Sequence, residues 1–256
     1  MIEVKNLIKT YKSRNKDEET ILDNISLEIN EGEFVCLLGS SGCGKTTLLN
    51  LMAGFNKPTS GGVYIYGEKV LKPSIDYVTI FQDYGLLPWR NVFKNVQLGL
   101  ESKKMKKDER EKIALKYLEM VGLSEYKTHY PSQLSGGQMQ RVAIARAFAV
   151  DPKIIFMDEP FGALDAMTRM SIQDQVVDIY EKNKKTIVFV THDIEEAVYL
   201  SDKIVIMDSK PGIIKKVIEI PSRKRDRNSK EFLELKNMVF KEFKSSIVKE
   251  VIKEIV

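Results

Sequence analysis

The chain has 256 residues, 43% hydrophobic and 30% charged, and its 40 basic against 36 acidic side chains leave a formal charge of +4. At about 150 residues per domain that makes one or two domains, with a core that needs no disulfides, and so slight a positive excess argues against the basic stripe of a nucleic-acid binder. No apolar run approaches the roughly 18 residues that span a bilayer, MIEVKNLIKTYKS contains no apolar signal region, and two cysteines, Cys36 and Cys43, suit a reduced, cytoplasmic protein.

The first thirty residues read as strands. Ile25, Leu27 and Ile29 alternate with Ser26 and Glu28, the pattern of a half-buried strand. The polar segment Ser13–Thr20 reads as an exposed loop. Phe34–Leu38 is then continuously apolar, as are Tyr77–Ile80, Ile154–Met157, Ile187–Val190 and Ile204–Met207. Unbroken apolarity suits strands buried on both faces, as in a parallel sheet covered by helices. With helical patterns between them, such as Met167–Lys182, this is α/β architecture.

Directly after Phe34–Leu38 stands Gly39-Ser40-Ser41-Gly42-Cys43-Gly44-Lys45-Thr46-Thr47, followed by a helical run. This is the pattern of a glycine, four residues, then Gly-Lys-Ser/Thr. Glycines let backbone N–H groups curl round phosphate oxygens, and the helix adds its positive end. Lys45 supplies charge to the β- and γ-phosphates, and the Thr46 hydroxyl is a Mg²⁺ ligand. Cys43 reads as a small space-filler rather than a nucleophile.

From Asp83 to Val150 the chain reads as a helical insertion. The charge run Glu101–Lys112 is the solvated face of a helix, and Ile113, Leu115, Leu118 and Val121 follow at near-helical spacing. Leu134-Ser135-Gly136-Gly137-Gln138 precedes another helical run. Ser135 is an N-cap candidate, and the glycines expose N–H groups at a positive helix end. Physics alone leaves two readings open there, a second anion site or a capped glycine turn. Ile154–Met157 ends in Asp158 and Glu159, a metal-side carboxylate and a base for water, unless they merely open a loop. Pro211-Gly212 marks the turn of a terminal hairpin. A basic stretch, Arg223–Lys230, leads into a helix carrying Phe232, Leu235, Val239, Phe243, Ile247, Val251 and Ile255 on one face.

Together these segments resemble the ATP-binding subunits of ABC transporters, whose signature is the LSGGQ-type segment Leu134–Gln138. The resemblance covers essentially the whole chain. It implies a P-loop NTPase core of RecA-like type with a parallel sheet, an N-terminal antiparallel β subdomain and an inserted helical subdomain. The division it implies is one ABC ATPase domain over 1–256. The α/β core with its β subdomain takes 1–82 and 151–221, the helical signature subdomain 83–150 and a helical tail 222–256.

It also assigns roles. Tyr11 stacks on adenine, and Gly39, Ser40, Ser41, Gly42, Cys43, Gly44, Lys45, Thr46 and Thr47 hold the nucleotide. Glu159, His192 and Gln82 are catalytic, with Thr46, Gln82 and Asp158 on the metal side. Ala163, Leu164 and Asp165 match the dimer's D-loop. Each single residue keeps a plainer reading: Tyr11 as a surface aromatic, Gln82 as a loop amide, His192 as a polar strand end. His129 matches nothing and reads as an exposed bystander.

The implied cofactors are ATP and Mg²⁺. The implied partners are a second copy packed head to tail in the ATP-bound state, transmembrane permease subunits and, indirectly, a solute-binding protein, with no nucleic acid. The implied place is peripheral, on the cytoplasmic face of the membrane. Finer likeness, in Gly85–Trp89, Asn91–Val96, Phe161–Arg169 and the Pro-Arg tail, points to the nitrate/sulfonate/taurine importers, although Tyr84 and Gly85 depart from that group's usual residues. Leu87, Pro88 and Trp89 would help receive the permease; the other reading puts Trp89 in a helical core. The rival functions are a soluble ABC ATPase of DNA repair or translation, a module that holds ATP without hydrolysing it, and an importer of another small solute such as a pyrimidine.

Overall fold

The structure, a computed structural model, describes residues 1–12, 18–103, 105–209, 211–221 and 225–255, without the side chains of residues 183 and 245–255. In chain order its strands are β1 (Ile2–Lys12), β2 (Glu18–Ile29), β3 (Phe34–Gly39), β4 (Ser60–Ile65), β5 (Glu68–Lys69), β6 (Tyr77–Ile80), β7 (Ile154–Asp158), β8 (Thr186–Thr191), β9 (Lys203–Asp208) and β10 (Ile213–Glu219). The helices are α1 (Lys45–Met52), α2 (Val92–Ser102), α3 (Lys107–Met120), α4 (Gly136–Ala149), α5 (Ala166–Asn183), α6 (Ile194–Leu200) and α7 (Lys230–Ile255). They form two compact units. One holds Met1–Ser74 and Lys185–Val256, the other Ile75–Lys184.

The first unit contains an antiparallel sheet in the order β2-β1-β4-β5 and the strand run β10-β9-β3-β8. β3 lies parallel to both β8 and β9, and β10 returns antiparallel on β9 across the Pro211-Gly212 turn. Every residue of β3 and β8 is buried, the physical reason for their unbroken apolarity. Phe34 and Phe189 meet edge to face at 5.4 Å between their neighbouring strands. The antiparallel sheet is tied to β10 through Leu22, bridged to Gly212.

β2 begins earlier than the composition suggests. Glu18, Glu19 and Thr20 pair with Lys12, Tyr11 and Thr10, so the expected loop over Ser13–Thr20 is corrected at its end; its residues 13–17 lie outside the described set. Pairing with β1 overrides the polarity of those three residues. β4 and β5 carry no alternation that would announce them.

α7 docks on α6 as the apolar stripe requires. Phe232, Val239 and Phe243 are buried, Phe232 lies edge-on to Tyr199, and Lys236 pairs with Glu195 at 2.6 Å. The side chains of Ile247, Val251 and Ile255 lie outside the described set, as do Arg223 and Lys224 of the basic stretch.

In the second unit β6 and β7 run parallel, and α2, α3 and α4 pack on one another with α4 also against β6. The α3 face differs from expectation. Ala114, Leu118 and Val121 are buried while Leu115 is exposed, because the helix turns Ala114 rather than its larger neighbour inward. His129 is half-buried rather than exposed. Its ring lies 5.2 Å from that of Tyr126, and its backbone carbonyl accepts from the Val92 amide that starts α2. No helix among the described residues is long and apolar enough to cross a membrane.

Candidate functional site

The candidate residues divide between the two units. In the first, β3 and β8 are parallel with Leu38 opposite Thr191, so Gly39 and His192 leave neighbouring strands at the same end. Carboxyl ends of parallel strands are where open α/β sheets bind ligands.

The Gly39–Thr47 loop has the conformation its glycines predict. Gly42 has φ +83° and Gly44 φ +90°, left-handed values that L side chains rarely adopt. A Cβ on Gly44 would also lie 2.6 Å from Leu22 Cδ2. Gly44 caps α1 without a side-chain bond, and the first turn of α1 holds no acid. Lys45 is buried and donates to the carbonyls of Gly39 (2.9 Å) and Ser40 (2.7 Å). Cys43 Sγ lies 3.8 Å from the same ammonium and fills the space beside Gly39. Burial pushes the Cys43 thiol above its ordinary pKa while Lys45 opposes the shift, which suits a space-filler rather than a nucleophile. Left-handed glycines, an uncompensated helix start and a buried ammonium fit a bound polyphosphate.

His192 is exposed on a turn built by its neighbours. The Thr191 hydroxyl donates to Glu196 Oε2 at 2.7 Å and accepts from the Asp193 amide at 3.0 Å. Asp193 then caps α6 by accepting from the Glu195 amide at 2.7 Å. Tyr11 is exposed on β1, with the Lys9 ammonium 4.5 Å from its ring centre.

In the second unit Ile80 of β6 is opposite Met157 of β7. Gln82 and the pair Asp158, Glu159 therefore leave adjacent parallel strands side by side. Asp158 is buried at the strand end, and Glu159 is half-buried with φ +45°. A glutamate held in the left-handed region is uncommon, and such outliers gather at functional sites.

Ser135 is the N-cap of α4. Its hydroxyl accepts from the Gln138 amide at 3.3 Å, and Gln138 Oε1 accepts from the Ser135 amide at 2.9 Å, a reciprocal capping box. Leu134 is buried beneath it, and the first turn of α4 holds no acid. The two glycines allow close approach. A Cβ on Gly136 would stand 2.9 Å from Tyr84 Oη, and one on Gly137 3.4 Å from the Ala163 carbonyl. Leu164 is buried beside them, while Asp165 caps α5. The unit thus brings the Gln82 segment, Ser135–Gln138 and Ala163–Asp165 together.

Leu87-Pro88-Trp89 forms a loop whose tryptophan is 72% exposed, which rules out the helical-core reading within the chain. Its shape is held by Asn95, fully buried on α2. Asn95 Oδ1 accepts from the Leu87 amide at 2.8 Å, and Nδ2 donates to the carbonyls of Leu87 (3.1 Å), Arg90 (2.8 Å) and Asn91 (3.1 Å). Pattern reading missed Asn95, and the one available signal was an amide amid apolar positions of α2. It also missed Arg146, whose guanidinium donates to the carbonyls of Tyr84 (2.8 Å) and Gly85 (2.6 Å). Burial lowers the Arg146 pKa from its ordinary value, and the Asp83 carboxylate opposes that shift.

Residues 22–162 match the family model described as ABC transporter. The chain is 49% identical to an uncharacterized ABC transporter ATP-binding protein of Methanocaldococcus jannaschii, over 97% of this chain and 93% of that one. The chain belongs to the ABC transporter family. Within it, the chain is 43% identical to the nitrate import ATP-binding protein NrtD of Synechococcus elongatus, over 81% of this chain and 77% of that one. It is equally identical, at 43%, to the aliphatic sulfonates import ATP-binding protein SsuB of Bacillus cereus, over 93% and 94%. Among solved structures, an ABC cassette described as the dimeric post-hydrolysis state of MJ0796 bound to ADP and Pi superposes with a TM-score of 0.80. It is 38% identical, over 87% of this chain and all of that one. The P-loop fold of an ABC cassette is therefore the fold of this chain.

Proposed function

We propose that this ABC cassette is the ATP-hydrolysing motor of an importer for a small anion of the nitrate/sulfonate/taurine kind. The observation that carries the motor reading is the Gly39–Thr47 cradle, with its left-handed glycines and buried Lys45 at the carboxyl end of β3. The anion reading is supported by the names of the nitrate and sulfonate import relatives.

In this reading the loop amides and Lys45 hold the triphosphate, and Tyr11 offers its ring to adenine. Thr46, Gln82 and Asp158 are hard oxygen donors of the kind Mg²⁺ selects. Among the described residues no group of three or more His, Cys, Asp or Glu could hold a metal ion. When bound, Mg²⁺ supplies charge neutralisation on the β- and γ-phosphates. Glu159 accepts a proton from the attacking water, and its left-handed backbone fixes where the carboxylate starts. His192 contacts the γ-phosphate from the turn set by Thr191 and Asp193.

The chain works as a head-to-tail pair; the pairing itself is supported by the dimeric cassette relative. Ser135 and the Gly136–Gly137 amides of one copy close over the nucleotide of the other, and Ala163–Asp165 line the dimer contact. Hydrolysis adds charge repulsion and removes that bridge, so the pair opens. Leu87, Pro88 and Trp89 pass the movement to permease subunits at the cytoplasmic face of the membrane, and a solute-binding protein delivers the anion.

The experiment is Glu159→Gln in permease-containing vesicles. It should keep ATP affinity, accumulate the ATP-bound dimer and abolish both turnover and uptake, because the carboxylate acts only in the transition state. Near wild-type turnover would remove Glu159 as the base. Wild-type uptake confined to sugars or peptides, with none of nitrate, taurine or alkanesulfonates, would refute the anion.

A further inference from the structure

Tyr84 stands two residues beyond Gln82 and is one of the positions where this chain departs from the residues usual in the group it resembles. Nothing in the roles assigned above uses it. Yet the segment it belongs to is attached to α4 at two points. At the start of the helix, the Tyr84 ring reaches Gly136 so closely that a Cβ there would lie 2.9 Å from its hydroxyl oxygen. In the last turn of the same helix, Arg146 grips the main chain of Tyr84 and Gly85 through two hydrogen bonds of 2.8 and 2.6 Å. Ten residues separate Gly136 from Arg146, about 15 Å of helix.

The backbone between these points is unusual. Tyr84 has φ +66° and Gly85 φ +55°, two successive left-handed residues. A tyrosine there is held by its surroundings against its own preference. The left-handed pair is closed by local bonds, Tyr84 N–H to the Phe81 carbonyl at 3.1 Å and Gly85 N–H to the Asp83 carbonyl at 2.8 Å. Gln82 lies inside this closed turn. A shift of Gln82 therefore moves the Tyr84 ring, and one end of that ring rests on the first residue of α4.

We propose that Tyr84 is a positioning residue that ties the Gln82 turn to the start of α4, so that the place of Ser135, Gly136 and Gly137 depends on what Gln82 of the same chain contacts. The inference deepens the function proposed above and rests on its head-to-tail pairing. A chain's own Gln82 turn thereby sets how well its Ser135–Gly137 segment closes over the partner's nucleotide. Arg146 fixes the turn to the far end of the helix, and Tyr84 supplies the second point that orients the near end. A single attachment leaves the helix start free to pivot.

The test uses steady-state ATPase of the intact chain and of mixed dimers. Tyr84→Ala should leave the KM for ATP within about twofold and lower kcat by about ten- to a hundredfold, the size of effect that a misplaced group far from the chemistry produces. Tyr84→Phe, which keeps the ring but loses the hydroxyl that stands nearest Gly136, should fall between Tyr84→Ala and wild type in kcat. A merely structural role would instead move the melting temperature, with little separation between the Ala and Phe variants in kcat.

The mixed dimer locates the defect. In a dimer of a Tyr84→Ala chain with a Lys45→Ala chain, one composite site pairs an intact Lys45 with the Ser135–Gly137 segment of a chain that keeps Tyr84. That dimer should be as active as one of wild type with Lys45→Ala. Activity that stays at the Tyr84→Ala level would place the defect at the chain's own nucleotide and overturn the inference. If the control dimer of wild type with Lys45→Ala is itself inactive, the head-to-tail reading fails, and this inference fails with it.

Discussion

The Gly39–Thr47 cradle of the first unit and the Gln82–Arg90 segment of the second are held by different means. In the first unit the cradle is main chain. Gly42 and Gly44 take left-handed conformations, α1 starts at Lys45 on a glycine cap, and the Lys45 side chain bonds to carbonyls of its own loop. In the second unit the functional loops are held by side chains reaching from helices: Asn95 from α2, Arg146 from α4, and the Tyr84 ring against Gly136. A cradle made of backbone leaves few residue choices, so it writes itself into the sequence as glycines. A loop held by a distant amide or guanidinium leaves only one ordinary-looking polar residue far along the chain.

The largest expected break of this contrast is Lys45→Ala. It removes the ammonium proposed to serve the phosphates and leaves the Gly39 and Ser40 carbonyls without their donor. Loss of a charged hydrogen bond of this kind is about 3 kcal/mol, roughly a hundredfold in affinity. Isothermal titration with ATP checks it. An unchanged affinity would mean that the backbone alone binds the nucleotide and that the lysine is structural.

That difference explains what was legible beforehand. The parallel strands showed because β3, β7 and β8 are buried throughout, and the cradle showed because its glycines are dictated by φ. Ser135 showed as a cap because capping needs a short oxygen side chain. β4 was not legible: its Ser60, Gly61 and Gly62 carry no pattern, and it forms because β1 offers a partner from Ile2 to Ile8. Leu115 and Ala114 traded places because side-chain size says less about burial than the helix face does. The turn around His192 and the Asn95 brace depend on contacts between residues distant in character rather than on any period, so only the folded chain displays them.

A middle-sized effect should come from the brace. Asn95→Leu keeps the volume but removes every bond to Leu87, Arg90 and Asn91, leaving part-buried backbone groups without partners. A loss of about 3 kcal/mol follows from two or so such orphaned groups, or roughly 6–12 °C in melting temperature for a domain of this size. Thermal unfolding of the isolated chain measures it. A shift within a degree of wild type would show that the Leu87–Arg90 loop holds its shape unaided, and the contrast with the Gly39–Thr47 cradle would fail.

The smallest effect on the isolated chain belongs to Trp89, and that smallness is the informative part. The side chain is 72% exposed, so Trp89→Ala should change stability by less than about 0.5 kcal/mol. Basal ATPase should be unaltered, since the brace at Asn95 holds the loop through Leu87 and Arg90 main chain rather than through the indole. An exposed aromatic on a braced loop is a rigid anchor, and burying such an anchor in a partner typically contributes about 2 kcal/mol or more. In permease-containing vesicles the same variant should therefore bind the permease at least about thirtyfold more weakly, or hydrolyse ATP without nitrate or sulfonate uptake. A large loss of stability with normal coupling would make Trp89 part of the fold. The Asn95 brace would then serve the helices rather than a partner.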